Sequence, residues 1–125
     1  MVEPIRLVVH GAAGRMGQRV VACAAADRLP WQLVAAIERA SHPKTGVDAG
    51  VLAGIAPAGV AVNASWTCPA DVVIDFSLPE AVAGIAETCV RAGVPLVVAT
   101  TGLEETARRA IAEAAQKIAV LQSPS

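Results

Sequence analysis

Three glycines spaced three residues apart lie near the start of the chain, in residues 11–17 (GAAGRMG). They follow a short apolar run and precede an Ala-rich stretch, so the pattern predicts a tight turn from a strand into a helix. Such a turn lets a diphosphate approach the backbone, and the first amides and the dipole of the helix favour its charge. Glycines in an Ala-rich chain can also serve turns and close packing alone.

An acidic residue supports the first of these interpretations. Glu38 ends the second predicted strand, 21 residues after Gly17. In dinucleotide-binding folds, a carboxylate at that position holds the hydroxyls of the adenosine ribose. The glycine run and Glu38 together favour dinucleotide binding over packing glycines.

The elements that must position these residues alternate between short apolar runs and longer Ala-rich stretches. The runs are continuously hydrophobic, as in parallel strands covered on both faces, and the connections are long enough for crossover helices. We predict a Rossmann-like, doubly wound parallel α/β sheet in three layers, α/β/α, with residues 1–125 forming one dinucleotide-binding domain. The predicted strands are Ile5–His10, 33–38, 60–63, 72–76, 95–100 and 118–121, and the predicted helices are Arg15–Ala26, 79–92 and 104–116, with a helical turn at 48–53.

Two details of the helices can be predicted as well. Residues 77–80 (SLPE) and 101–104 (TGLE) have the spacing of a capping box at a helix start. In the first helix, the inward side is predicted to carry Met16, Val20, Val21 and Cys23.

Composition excludes several classes of function. The 125 residues are 54% hydrophobic and carry a net charge of −1, so no basic field exists to hold a nucleic acid. No apolar run approaches the roughly 18 residues needed to cross a membrane. Cys23, Cys68 and Cys89 show no CxxC spacing, which favours reduced structural thiols over a metal site, with Cys23 and Cys89 in the core. The N-terminal residues lack the features of a signal peptide, and we expect a cytoplasmic protein.

Four blocks in this order and spacing resemble a known family. They are residues 8–17 (VVHGAAGRMG), 36–39 (AIER), 75–80 (DFSLPE) and 99–102 (ATTG). The chain is similar throughout to the N-terminal half of 4-hydroxy-tetrahydrodipicolinate reductases (dihydrodipicolinate reductases) of lysine and diaminopimelate biosynthesis. The resemblance implies an NAD(P)H-dependent reductase that uses NADH or NADPH. In this family a separate C-terminal domain binds the cyclic imine substrate, closes over the nicotinamide and mediates assembly of a homotetramer.

The resemblance also implies a set of cofactor-binding residues. The diphosphate would lie on the glycine turn, the ribose hydroxyls on Glu38 and a 2′-phosphate on Arg39, while the nicotinamide end would meet the later segments. The full set is Gly11, Ala12, Ala13, Gly14, Arg15, Met16, Glu38, Arg39, Phe76, Ala99, Thr100, Thr101, Ser123, Pro124 and Ser125. Three positions depart from the family pattern: Leu78 stands where Arg is frequent, Ala99 where Gly is frequent, and Ser125 where Asn is usual.

We expect no catalytic residue and no metal ligand in this chain. The family's His-His pair, Lys and Asp-Ala-Pro-Ser-Gly-Thr loop belong to the substrate domain and do not occur in the 125 residues. The chain alone is therefore expected to bind cofactor without reducing substrate. His10 is interpreted as a partly buried residue at a strand end, His42 as solvated, and Asp75 as a carboxylate that organises the turn after its strand.

Two alternatives remain open at this stage. One is a stand-alone nucleotide- or CoA-binding Rossmann module, against which Glu38 argues because its carboxylate suits a ribose diol. The other is a different Rossmann dehydrogenase acting on a sugar or an amino acid, against which the DFSLPE and ATTG pair argues.

Overall fold

A computed structural model of the protein describes residues 3–26 and 30–123. These residues form a six-stranded parallel sheet with the strand order β3-β2-β1-β4-β5-β6. The strands are β1 (Ile5–His10), β2 (Trp31–Ile37), β3 (Val62–Asn63), β4 (Val72–Asp75), β5 (Leu96–Val98) and β6 (Val120–Gln122), and the helices are α1 (Arg15–Ala26), α2 (Ala49–Leu52), α3 (Val82–Ala92) and α4 (Glu105–Ala114), with a 3₁₀ turn at Pro79–Ala81. The predicted doubly wound Rossmann-like sheet is confirmed.

Both faces of the sheet are buried, which explains the continuously apolar strands. Successive side chains of β1 point to opposite faces, so Val8 joins the cluster under α3 and α4, while Leu7 and Val9 join the cluster under α1 and α2. Helix α3 contributes Ile85 and Cys89 to the first cluster. Cys89 has no exposed surface, so its predicted core position is confirmed. Burial raises the pKa of its thiol to about 12.

Helix α1 approaches the sheet so closely that a glycine faces it. A Cβ at Gly17 would overlap the carbonyl oxygen of Gly11, and Gly17 and Val21 are the buried residues of this helix. The inward stripe therefore runs through positions 17, 20, 21 and 24. The prediction that Met16 and Cys23 face inward is wrong, and so is the core assignment of Cys23. Both are exposed because, seven residues apart, they lie together on one side of the stripe that Gly17 sets.

The two predicted capping boxes do not form. The 3₁₀ turn begins after Leu78 and α4 begins after Glu104, and neither of these N-cap residues makes a side-chain cap hydrogen bond. Both starts lie further along the chain than the predicted caps, so the Ser77 and Thr101 side chains do not cap the first-turn amides. The Ser77 hydroxyl instead donates to the carbonyl of Leu78 at 3.3 Å.

A single carboxylate organises the Gly- and Ala-rich stretch between β2 and β4. Asp48 caps the predicted helical turn, which the structure shows as α2, and it also holds the loop that follows. Its Oδ1 accepts hydrogen bonds from the amides of Gly50, Val51 and Ala58, and its Oδ2 accepts from those of Gly59 and Val60. These backbone bonds, that of Ala58 foremost, lower the pKa of Asp48 to about 2.

We predict that this carboxylate makes the fold acid-sensitive. The pKa of folded Asp48 is about 2 against an ordinary value of 3.8, so its contribution to stability is present above that value and is lost as the pH falls toward 2. The midpoint temperature of thermal unfolding of Asp48→Asn should lie below that of wild type at about pH 6. This difference should disappear at about pH 2. Glu87→Gln, on the exposed side of α3, is the control. A gap that is the same at both pH values would contradict this role.

Two helical glycines provide a matched test of the close contact between α1 and β1. Gly17→Ala should cost about 1 to 3 kcal/mol of unfolding free energy, because its methyl group must push α1 away from Gly11. Gly84→Ala in α3 should stabilise the protein by about 0.5 to 1 kcal/mol, since a Cβ there meets nothing within 4 Å. Denaturant unfolding measures both changes. Equal changes in unfolding free energy at the two positions would contradict a close contact between α1 and Gly11.

Candidate functional site

The carboxyl ends of the parallel strands meet at one edge of the sheet. The chain builds β1, β2 and β3 outward in one direction and then starts again beside β1 with β4, which creates a switch point between β1 and β4. Ligands of doubly wound folds bind in the crevice at this point. The structure brings the predicted residues at 11–16, 38–39, 76, 99–101 and 123 to this edge. Pro124 and Ser125 lie outside the described residues.

Several amides of the glycine turn donate hydrogen bonds to backbone carbonyls of the protein itself. The amides of Gly11 and Ala12 both donate to the carbonyl of Ile37, at 2.8 and 3.2 Å, which ties the turn to the end of β2. The Gly14 amide donates to the Gly11 carbonyl at 3.1 Å. Gly11 has a φ of +83° and lies against the backbone of Phe76, so a side chain would be strained and obstructed there.

The start of α1 remains open toward the edge. Arg15 and Met16 are exposed, the first turn of α1 contains no acidic residue, and the first amides of a helix have no acceptor within the helix. The partial positive charge of the helix end adds to these amides. The first turn of α1 therefore fits an anionic group such as a diphosphate.

Glu38 lies beside the same turn. Its Oε2 accepts a hydrogen bond from the Ala13 amide at 2.9 Å, and its own amide donates to the carbonyl of Asn63 at 2.9 Å. Both contacts orient the partly buried carboxylate, which keeps further acceptor capacity for a diol. The adjacent Arg39 is exposed, so its guanidinium can reach a group outside the sheet.

A buried carboxylate lies at the switch point. Asp75 has no exposed surface, and its Oδ1 accepts a hydrogen bond from His10 Nδ1 at 2.7 Å and one from the Ser77 amide at 3.2 Å. The Thr100 hydroxyl donates to Oδ2 at 2.8 Å. Burial by itself raises the pKa of Asp75, but the bonds from His10, Ser77 and Thr100 more than offset it, so the pKa lies below its usual value.

This network confirms two interpretations and changes the expectation for a third residue. Asp75 does organise the turn after β4, and the His10 side chain is only 12% exposed at the end of β1. Thr100, predicted to flank the ligand, is 8% exposed and turns its hydroxyl toward Asp75. No local sequence pattern indicates this network, because His10 and Thr100 are 65 and 25 residues from Asp75.

The remaining predicted residues differ in exposure. Phe76 and Ala99 are partly buried, and their amides donate to the carbonyls of His10 and Asp75, both at 2.9 Å. Thr101 and Ser123 are exposed, and the Ser123 amide donates to the Val98 carbonyl at 2.9 Å. The edge is thus an open surface with a fixed backbone.

Other features of the molecule lie away from this edge. A groove of about 540 Å³ between α3 and α4 is lined by alanines and by side chains of both charges, and it includes none of the predicted site residues. Among residues 3–26 and 30–123, no group of three or more His, Cys, Asp or Glu side chains is placed to hold a metal ion. In the same ranges, no helix has the length and apolar character needed to cross a membrane.

Comparison with known proteins assigns the chain to a family. A sequence model described as dihydrodipicolinate reductase, N-terminus, matches residues 5–125. The chain is 50% identical to the 4-hydroxy-tetrahydrodipicolinate reductase of Rhodopirellula baltica, with 98% of this chain and 45% of the relative covered. It is 47% identical to that of Anaeromyxobacter dehalogenans, with 96% and 45% covered. The chain thus spans slightly less than half the length of these curated relatives.

Solved structures share the fold. A dipicolinate-bound dihydrodipicolinate reductase from Paenisporosarcina sp. TG-14 superposes with a TM-score of 0.71 at 23% identity, covering 98% of this chain and 48% of that one. A myo-inositol 2-dehydrogenase from Lactobacillus plantarum gives 0.71 at 16% identity, covering 97% and 36%. These likenesses concern the fold alone. With the sequence match across residues 5–125, the chain belongs to the family of the N-terminal part of dihydrodipicolinate reductases.

Proposed function

We propose that this chain binds NADH and NADPH and is the cofactor domain of a reductase that transfers hydride to 4-hydroxy-tetrahydrodipicolinate. The observation that carries the proposal is the arrangement at the switch point, where the open first turn of α1 and the oriented Glu38 carboxylate adjoin the same glycine turn. These two groups match the diphosphate and the adenosine ribose of a dinucleotide. The bound cofactor would supply the hydride, and the chain would supply binding and orientation.

Different residues would bind different parts of the dinucleotide. The first amides of α1, at Arg15 and Met16, would hold the diphosphate, and Glu38 would accept the ribose hydroxyls. Arg39 would meet a 2′-phosphate. The nicotinamide half would lie along the segments after β4, β5 and β6, which carry Phe76, Ala99, Thr101 and Ser123. A CoA-binding module is the weaker candidate, because the family model that matches residues 5–125 is that of a reductase.

The family supports the wider part of the proposal. The substrate would be held by the C-terminal half of the whole protein, which would assemble as a homotetramer in the cytoplasm. Since the family's imine-binding residues do not occur in these 125 residues, this chain alone would bind cofactor without turnover.

Cofactor choice tests the assignment of the ribose edge. Glu38 favours an unphosphorylated ribose, and Arg39 offsets its repulsion of a 2′-phosphate. We therefore expect the affinities for NADH and NADPH to differ by less than about a hundredfold, or about 2.7 kcal/mol. Arg39→Ala should weaken the binding of NADPH about tenfold or more and that of NADH about twofold or less, because only NADPH loses a charge-assisted contact. Fluorescence titration of reduced cofactor measures both affinities.

Salt and a distant arginine provide the controls. The difference between the two cofactors should shrink at high salt, since Arg39 is exposed. Arg91→Ala, at the end of α3, should change neither affinity. Equal weakening of NADH and NADPH by Arg39→Ala would show that Arg39 supports the loop after β2 and does not read the phosphate.

A further inference from the structure

We propose that Asp75 is the positioning residue for the nicotinamide half of the site. Its buried carboxylate accepts hydrogen bonds from His10, Ser77 and Thr100, which belong to the segments after or at the ends of three different strands. This role rests on the proposed function, since it concerns how the same edge holds a nicotinamide dinucleotide. Asp75 has no exposed surface and acts through its neighbours, without contact with the cofactor.

Each donor is a direct chain neighbour of a residue in the candidate site. His10 precedes Gly11, Ser77 follows Phe76, and Thr100 stands between Ala99 and Thr101. A shift of any of these segments would lengthen a bond to the carboxylate. The network therefore couples the position of the glycine turn to the positions of the two segments after β4 and β5.

The network continues the sheet beyond the end of its backbone ladder. The registered pairs end at His10 with Asp75, between β1 and β4, and at Asp75 with Val98, between β4 and β5. Past these pairs, the amide of Phe76 donates to the His10 carbonyl and that of Ala99 to the Asp75 carbonyl. Beyond the last backbone pairs, hydrogen bonds to the Asp75 side chain hold the loops in place.

A buried charge makes this arrangement cooperative. A carboxylate withdrawn from water requires hydrogen-bond donors, and loss of one donor leaves the others to compensate for a charge they cannot fully satisfy. The loops are therefore favoured only in the arrangement in which all three donors reach Asp75. The adenosine half has a separate support, the bond between Ala13 and Glu38.

This separation allows a test on the two halves of the ligand. We compare NADH, which occupies both halves, with ADP, which occupies only the adenosine and diphosphate half. Thr100→Val removes the hydroxyl donor at nearly constant volume, Thr100→Ser retains it, and Thr106→Val on the exposed side of α4 is the matched control. Calorimetric titration gives the ratio of the Kd for ADP to the Kd for NADH, which measures what the nicotinamide half contributes.

Thr100→Val should lower this ratio about tenfold, or to one if the wild-type ratio is smaller, while the Kd for ADP stays within about twofold of wild type. Thr100→Ser and Thr106→Val should retain the wild-type ratio. Thermal unfolding checks that each variant is folded. If Thr100→Val does not fold, Thr100→Ala removes the same hydroxyl donor, and the same fall in the ratio is expected.

Several outcomes would overturn the inference. An unchanged ratio, an equal loss of ADP and NADH affinity, or a Thr100→Ser variant that behaves like Thr100→Val would each assign Asp75 a purely structural role. A wild-type ratio of one would mean that no nicotinamide half is held at all. A wild-type chain that binds neither ligand would overturn the proposed function itself, and is distinguished from the other results by the loss of ADP binding.

Discussion

The buried charge of Asp75 is the constraint on which the arrangement of the site depends. A carboxylate with no exposed surface is stable only when donors replace the water it has lost, and here they come from His10, Ser77 and Thr100. Since these donors lie at three strand ends, satisfying one charge fixes the relative positions of three loops. The charge also affects the core beneath, where it adds to burial in raising the pKa of the Cys89 thiol.

The glycine turn contributes a second constraint, and its residues have different tasks. Gly11 and Gly17 allow α1 to lie against the end of β1, where side chains would collide with backbone. The amides of Gly11 and Ala12 are bound to the end of β2, and that of Ala13 orients Glu38. The part of the motif left for a ligand is the first turn of α1. The glycines can therefore serve close packing and binding together, because the packing of α1 against β1 leaves the first turn of α1 open to an anionic ligand.

The sequence was sufficient for the architecture, and the predicted site residues that the structure describes lie at one edge of the sheet. The apolar run of β1 and the Ala-rich stretch of α1 are bounded by Gly, Pro and polar residues, so the predicted bounds of both match the structure. Local patterns failed where a distant contact decides the outcome. The Ser77–Glu80 spacing suggested a cap, but the Ser77 amide is bound by Asp75 and the helical turn begins only at Pro79. The Asp75 network joins His10 and Thr100, 65 and 25 residues away, and Asp48 also binds amides 10 to 12 residues further along the chain. No local pattern reveals these contacts.

A dinucleotide bound as proposed lies on the edge that Asp75 organises, from the first turn of α1 to the segment after β5. Amide chemical shifts followed by NMR during titration with NADH test it most directly. We expect saturable shifts for Arg15, Met16, Ser77 and Thr101, and none for residues of the groove between α3 and α4. Saturable shifts confined to that groove, or no saturable shift at Arg15 and Met16, would contradict dinucleotide binding at this edge.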